Sequence, residues 1–98
     1  MEPHYLGDRD LIGCPAAKKA AEQAYRMAGW QPADVEVAEI SAPFAHQEIL
    51  WARALSLSAS HAQLNSTGGW FAGNPYVVAG LERICCAAEA VRAGRARR

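Results

Sequence analysis

A chain of 98 residues has room for one small domain with a single hydrophobic core, because folding at this size buries somewhat under about 70% of the unfolded surface. Hydrophobic residues make up 51% and charged residues 20% of the chain, which is typical of globular proteins and excludes a disordered or fibrous protein. Ten basic and ten acidic residues give a formal net charge of zero, which excludes a general electrostatic attraction to nucleic acid or anionic lipid.

The first 13 residues predict an extended lead-in, since they carry charges and two glycines without a helical or strand period. This segment lacks the cationic start and apolar block of a secretion signal, and no stretch of the chain reaches the roughly 20 apolar residues of a membrane span. The cysteines have no metal-binding spacing and fit reduced thiols, with Cys14 expected to be exposed and Cys85 and Cys86 to belong to the core. The sequence therefore predicts a cytoplasmic protein with no membrane span and no metal site.

The first helix is predicted at residues 15–29, where Pro15 suits a first helical turn, strong helix formers follow, and Gly29 provides the stop. One face of this helix is almost entirely alanine, which would let a neighbouring backbone approach closely. A turn at residues 31–34 leads to residues 35–40, where apolar and acidic side chains alternate as in a short strand.

The second helix is predicted to follow Ser41-Ala42-Pro43 and to end near Leu55, with Phe44 on its apolar side. Residues 64–73 contain paired glycines and predict a short strand or an extended segment that another backbone approaches closely. The third helix, residues 75–94, has the clearest amphipathic pattern, with these apolar residues at helical spacing: Val77, Val78, Leu81, Ile84, Cys85, Ala88 and Val91. A basic tail, residues 94–98, is expected to be solvated.

This alternation of strands and helices with short connections predicts a single α/β domain, in which about three helices pack on one small mixed sheet. Two strand candidates make a meagre sheet, so the domain is expected to be incomplete. The stretches AYRMAGWQPADVEVAEISAPFAHQEILWARALSLS and LNSTGGWFAGNPYVVAGLERICCAAEAVR resemble the carboxyl-terminal half of thiolases. The likeness covers roughly residues 5 to 93 and is strongest to sterol-carrier-protein-type thiolases and lipid-transfer-protein-like acetyl-CoA acetyltransferases.

The resemblance implies an enzyme family that forms or cleaves carbon–carbon bonds on CoA thioesters, usually as a dimer, with a nucleophilic cysteine in an amino-terminal half. In the family a His-Asp-x-Phe or Asn-Glu-x-Phe motif follows the strand, and the corresponding residues here are Ser41-Ala42-Pro43-Phe44. The family's Gly-His-Pro motif corresponds to Gly73-Asn74-Pro75. The family's closing strand pair with a Cys-x-Gly loop would begin about where this chain stops.

In these altered motifs, Ser41 and Asn74 are the candidate hydrogen-bond donors to an oxyanion, since a hydroxyl or an amide can donate a hydrogen bond to a thioester oxygen. Asparagine cannot exchange a proton near neutral pH, so the histidine's part as a general base would be lost. Both residues also suit helix capping, and capping and donation are compatible in Asn74. Three glycines are candidate substrate-binding positions, with backbone packing as the alternative reading: Gly68, Gly69 and Gly73.

Three functions follow from these observations. The first is the carboxyl-terminal portion of a thiolase-like acyltransferase, inactive alone, whose partner is a separate amino-terminal thiolase-like chain or a second copy. The second is a non-catalytic interaction or assembly module derived from such a domain. The third is a stand-alone domain that binds acyl-CoA or lipid. No cofactor is expected beyond the CoA thioester that would be the substrate.

Overall fold

A computed structural model describes residues 12–58, 60, 62–73 and 75–97. The lead-in predicted for residues 1–13 falls mostly on residues 1–11, which lie outside the described part of the chain. The helices and strands, in chain order, are α1 (Pro15–Ala28), β1 (Val37–Ala38), α2 (Ala45–Ala54), β2 (Gln63–Leu64), α3 (Gly69–Ala72) and α4 (Ala79–Arg92). The order confirms the predicted α/β class with three longer helices.

The two strands are short and parallel, with Val37 opposite Gln63 and Ala38 opposite Leu64. The amide of Gln63 donates to the carbonyl of Glu36 at 2.9 Å, and the amide of Asn65 donates to that of Ala38 at 2.8 Å. Helix α2 lies between the strands in the chain, so β1, α2 and β2 form one β-α-β unit. Strand β1 occupies only the middle of the predicted residues 35–40.

Helix α1 begins and ends as predicted. Pro15 occupies its first turn, and Gly29 ends it with a φ of 68°, a left-handed conformation that glycine adopts without a steric penalty. The Tyr25 hydroxyl donates to the carbonyl of Leu55 at 2.8 Å, which joins α1 to the end of α2. Of the alanine face, Ala21 is the buried member, so α1 contacts the rest of the domain through a narrow strip.

The core beside α2 is small and rich in alanine. Its buried cluster consists of Ile40, Ala42 and Ala52, with Trp51 and Leu64 partly buried against it. Phe44, which the pattern placed on one side of α2 with its apolar residues, is the N-cap of this helix; it is 58% exposed, and its ring stacks on that of His46.

Helix α4 differs most from its prediction. It begins at Ala79 and not at Pro75, since Tyr76–Val78 form a separate 3₁₀ turn. Its buried residues are Ala79, Arg83 and Ala90, whereas most of the apolar face that predicted a core contact is exposed. The reason is that Glu39, directly after the strand packed against α4, binds Arg83 and draws the face that carries Ala79, Arg83 and Ala90 inward.

The segment after α4 folds back onto β1. Ala96 is buried in a cluster with Val37 and Ala90, and the amide of Arg97 donates to a Glu36 carboxylate oxygen at 2.8 Å. The side chains of Arg95 and Arg97 are exposed, as expected for a solvated basic segment. The backbone of this segment is nevertheless docked through Ala96.

Candidate functional site

The two parallel strands bring Ser41 and the paired glycines to the same end of the sheet. Ser41 follows β1, and Gly68 and Gly69 follow β2, so both segments leave from the carboxyl ends of their strands, where α/β sheets commonly bind ligands. The indole Nε1 of Trp70 donates to the Ser41 Oγ at 2.9 Å. This hydrogen bond fixes the Ser41 hydroxyl beside the start of α3 and leaves its own proton for another acceptor.

Ser41 does not cap α2. The residue at the N-cap of α2 is Phe44, without a capping hydrogen bond from its side chain, and the helix begins at Ala45. The capping alternative for Ser41 is therefore wrong, because Ala42 and Pro43 extend the chain by several residues before the helix starts. The half-buried hydroxyl instead accepts the indole proton of Trp70.

The paired glycines form a left-handed turn at the start of a one-turn helix. Gly68 has a φ of 93° and Gly69 a φ of 58°, and the predicted strand or extended segment at residues 69–72 is wrong, because these residues form α3. A Cβ at Gly68 would lie 2.5 Å from the Cβ of Ala72, and one at Gly69 would lie 3.1 Å from the Asn65 side chain. The close approach that the glycines predicted is thus made by the chain's own atoms.

Asn65 is a site residue that sequence reasoning missed. It adopts a left-handed backbone with a φ of 45°, a conformation that asparagine tolerates better than most residues. Its side-chain oxygen accepts from the amide of Ile40, and its side-chain nitrogen donates to Glu48 at 2.7 Å. Asn65 thereby ties the end of β1 to α2 beneath the glycine turn, and its place between a strand and a double glycine was the available signal.

A buried ion pair holds the same turn from the other side. The Arg83 guanidinium donates to Glu39 at 2.8 Å and to the Thr67 hydroxyl at 2.9 Å, and that hydroxyl donates to the same Glu39 oxygen at 2.9 Å. The side chains of Arg83 and Glu39 are 5% and 1% exposed. Burial disfavours the charge on Arg83, but the hydrogen bond that Arg83 donates to Glu82 and the negative charges of Glu82 and Glu39 outweigh it and raise the pKa of Arg83.

Asn74, the second candidate donor, lies outside the described residues. On its amino-terminal side, Gly73 is extended with open space around its Cα. On the other side, Tyr76 has a φ of 41°, an uncommon conformation for an aromatic residue, and its ring meets that of Trp70 edge-on at 6.4 Å between centroids. The turn after Pro75 therefore lies next to the glycine turn.

The thiols are arranged differently from their prediction. Cys85 is exposed, while Cys14 and Cys86 are partly buried, so the expectations for Cys14 and Cys85 are wrong. The described residues contain no cluster of three or more potential metal ligands. Over the same residues, none of the helices has the length and apolar character that crossing a membrane requires.

A cavity of about 490 Å³ lies between α1 and the end of α2, away from the paired glycines. Its lining combines the charged side chains of Lys18, Arg26 and Glu22 with the aromatic side chains of Tyr25 and Trp30. No local pattern along the chain indicated this cavity, because its lining comes from α1, the turn after it and the end of α2.

Comparison with protein families matches residues 2–68 to the family described as thiolase C-terminal domain-like. The match includes β1, Ser41, α2 and β2 and ends at Gly68, so the Gly73-Asn74-Pro75 word and α4 lie beyond it. Comparison with the curated proteins and with the solved structures gave no significant match. Since the matched residues make up more than half of the chain and hold the β-α-β unit with Ser41, this protein belongs to the thiolase C-terminal domain-like family.

Proposed function

We propose that this chain is the carboxyl-terminal part of a thiolase-like acyltransferase that acts on CoA thioesters in the cytoplasm. The family match supports the class of reaction. The hydrogen bond from Trp70 to Ser41 supports Ser41 as part of the site where substrate would bind. A partner, an amino-terminal thiolase-like chain, supplies the nucleophilic cysteine. The chain alone is therefore inactive.

In the proposed reaction, the partner's thiolate attacks the keto carbon of a 3-ketoacyl-CoA and the carbon–carbon bond breaks. The departing acetyl-CoA carbanion takes up a proton, and the acyl group is then passed from the cysteine to the sulfur of free CoA. Both steps develop negative charge on an oxygen, which hydrogen-bond donors in a fixed position stabilise.

Ser41 is the donor whose placement the geometry supports. Its oxygen accepts from Trp70, so the hydroxyl rotor is restrained and its proton is available to a substrate oxygen. Asn74 is the second proposed donor, and Gly68, Gly69 and Gly73 are proposed to let the thioester approach the backbone. Neither donor serves as a general base, so the partner also provides the proton transfers.

The experiment mixes purified chain, acetoacetyl-CoA and free CoA and follows the loss of the ketothioester, with and without a co-expressed amino-terminal thiolase-like chain. Turnover is expected only with the partner, and turnover by the lone chain would contradict the proposal. In the active mixture, Ser41→Ala is expected to lower kcat by about 100-fold, since an oxyanion donor is lost. Ser66→Ala is the matched control, because the Ser66 hydroxyl is exposed and makes only a 3.4 Å contact with Glu39.

A second candidate function is a non-catalytic assembly module, which the exposed apolar face of α4 favours. A third, a stand-alone acyl-CoA-binding or lipid-binding domain, is favoured by the cavity between α1 and α2 with its two cations. Calorimetric titration of the lone chain with acyl-CoA separates the two. Binding that Arg26→Ala abolishes would support the third function, and absence of binding would contradict it.

A further inference from the structure

The cavity between α1 and the end of α2 has the size of a small-molecule site. Its volume of about 490 Å³ falls within the range of roughly 300–1,000 Å³ that is usual for ligand pockets. Helix α1, the turn after it and the end of α2 supply its lining. Ser41 and the paired glycines do not line it, so this cavity is separate from the candidate acyl-transfer site.

Helix α1 supplies this cavity with three charged side chains in the order positive, negative, positive. Lys18, Glu22 and Arg26 are four residues apart in turn, and a rise of about 1.5 Å per residue spaces them about 6 Å apart along the helix axis. Among the residues that the structure describes, Glu22 forms no ion pair with Lys18 or Arg26, although opposite charges at this spacing commonly pair. The cations and the carboxylate therefore do not neutralise one another directly, and both signs of charge line the cavity.

Two aromatic side chains complete the part of the lining that can recognise a cation. The hydroxyl of Tyr25 is already bonded to the carbonyl of Leu55 at 2.8 Å, so Tyr25 contributes its ring to the cavity. Trp30 lines the same cavity and is 37% exposed. Tryptophan and tyrosine rings attract cations through their faces, and proteins use such contacts to bind quaternary ammonium groups, which have no N–H to donate. With the carboxylate of Glu22, these rings suit a quaternary ammonium group.

The two cations call for an anion in the same ligand. An arginine guanidinium binds a phosphate through two parallel hydrogen bonds, and lysine binds it as a point charge, so Arg26 and Lys18 suit a phosphate group. Glu22 lies between them along α1 and repels a ligand that is only anionic, such as the CoA part of a thioester. A ligand that carries an ammonium and a phosphate about 6 Å apart, the axial spacing of Glu22 from either cation, avoids this repulsion.

We propose that this cavity binds a small zwitterion that combines a quaternary ammonium group with a phosphate. The ammonium lies against Glu22 and the rings of Tyr25 and Trp30, and the phosphate lies against Lys18 and Arg26. A free small molecule and the headgroup of a membrane lipid both carry this chemistry. All the residues that line the cavity belong to this chain, so binding requires no amino-terminal partner and no acyl transfer.

The first test titrates the purified chain with phosphocholine and follows the indole N–H signals of its tryptophans by NMR, assigned with Trp30→Phe. The Trp30 signal should shift with a dissociation constant on the order of 1 mM, as expected for a ligand of this size. The signals of Trp51 and Trp70, which do not line the cavity, should stay in place. Choline alone and inorganic phosphate alone should each bind at least about 10-fold more weakly than phosphocholine, because each lacks one of the two charged groups.

Charge variants test the two halves of the site separately. Glu22→Gln should weaken the binding of phosphocholine about 10-fold without weakening that of inorganic phosphate, since the ammonium loses its carboxylate. The double variant Lys18→Gln with Arg26→Gln should weaken the binding of both. Lys19→Gln with Arg95→Gln removes two positive charges at exposed positions outside the cavity, and this control should bind phosphocholine as the wild type does. Circular dichroism of every variant checks that it is folded.

Co-sedimentation with phosphatidylcholine vesicles distinguishes the two sources of the ligand. A chain that sediments with the vesicles binds a lipid headgroup, and a chain that binds phosphocholine but stays in solution binds a free zwitterion. The proposal is overturned if about 10 mM phosphocholine leaves the Trp30 signal in place, or if inorganic phosphate binds as tightly as phosphocholine. Acyl-CoA that binds more tightly than phosphocholine, and more tightly still in Glu22→Gln, would also overturn it and assign the cavity to the third candidate function.

Discussion

At the scale of single residues, the contact between Arg83 and Glu39 organises the candidate site. The carboxylate of Glu39 follows β1, the hydroxyl of Thr67 precedes the glycine turn, and Arg83 on α4 binds both. Three elements therefore meet at one buried charge pair. Breaking such a pair from one side leaves an uncompensated charge in the interior, which costs more than removing both charges together.

We expect Glu39→Gln to lower the free energy of unfolding by about 2–4 kcal/mol, because Arg83 stays buried with only the partly exposed Glu82 as its counterion. The double variant Glu39→Leu with Arg83→Met should recover most of that loss, since neither charge of this pair is then left buried. Urea unfolding followed by circular dichroism measures both. Glu89→Gln breaks the exposed pair with Arg92 and serves as the control, with an unfolding midpoint close to that of the wild type. Equal midpoints for Glu39→Gln and Glu89→Gln would contradict the role given to the buried pair.

The glycine turn gives a second residue-scale prediction. Gly68→Ala should destabilise the protein by about 1–3 kcal/mol, because alanine strains at a φ of 93° and its Cβ would lie 2.5 Å from that of Ala72. Gly73→Ala is the matched control, since the backbone there is extended and the space around it is open. Thermal unfolding of the two variants is the measurement. A Gly73→Ala chain as unstable as Gly68→Ala would show that the turn geometry is not the cause.

At the scale of elements, α1 is held to α2 by a tyrosine. Burial raises the pKa of Tyr25 above its usual value of 10.0, and its hydroxyl donates to the carbonyl of Leu55. A group whose folded pKa is raised stabilises the protein fully below the unfolded pKa, and the stabilisation is lost as the pH rises through the folded pKa. The tyrosinate also has no proton to donate, so the bond to Leu55 disappears with ionisation.

We therefore expect stability to fall above about pH 10, and Tyr25→Phe to remove the part of this fall that Tyr25 causes. At neutral pH, Tyr25→Phe should cost about 1 kcal/mol, the usual net value of one hydrogen bond. Unfolding midpoints at a series of pH values test the prediction. Tyr76→Phe is the control, since Tyr76 is 69% exposed. If Tyr25→Phe loses stability above about pH 10 as much as the wild type does, that loss belongs to other groups.

At the scale of the whole molecule, the core of the described residues is small, and many large apolar side chains lie at the surface. The buried hydrophobic residues are mostly alanines, whereas Phe71, Leu81 and Ile84 are each more than 60% exposed. Since hydrophobic stabilisation scales with the apolar area removed from water, the chain alone is expected to be only marginally stable. Association that buries the exposed residues would then contribute a large share of its stability.

The corresponding prediction is a dependence of stability on protein concentration. A partner that binds only the folded state raises the unfolding midpoint by mass action. The midpoint of the wild-type chain should therefore rise as its concentration is raised from about 5 to about 200 µM, a range that includes a dissociation constant of roughly 10 µM for self-association. The chain with Leu81→Glu and Ile84→Glu should show no such rise. A midpoint independent of concentration in the wild type would mean that the apolar surface does not contribute to stability through self-association.

Local signals in the sequence determined the class of the fold and most of its helices. Pro15 and Gly29 set the limits of α1, alternation placed β1 within residues 35–40, and the resemblance of two stretches of the sequence to thiolases agrees with the family that the comparison shows. These features depend on neighbours along the chain, which a sequence displays directly. Only the tertiary structure decided which face of α4 lies inside, that Asn65 supports the glycine turn, and that Ser41 meets Trp70. Each of those depends on a partner at least sixteen residues away, and the pairing of Glu39 with Arg83 overrides the amphipathic pattern because a buried charge requires its counterion.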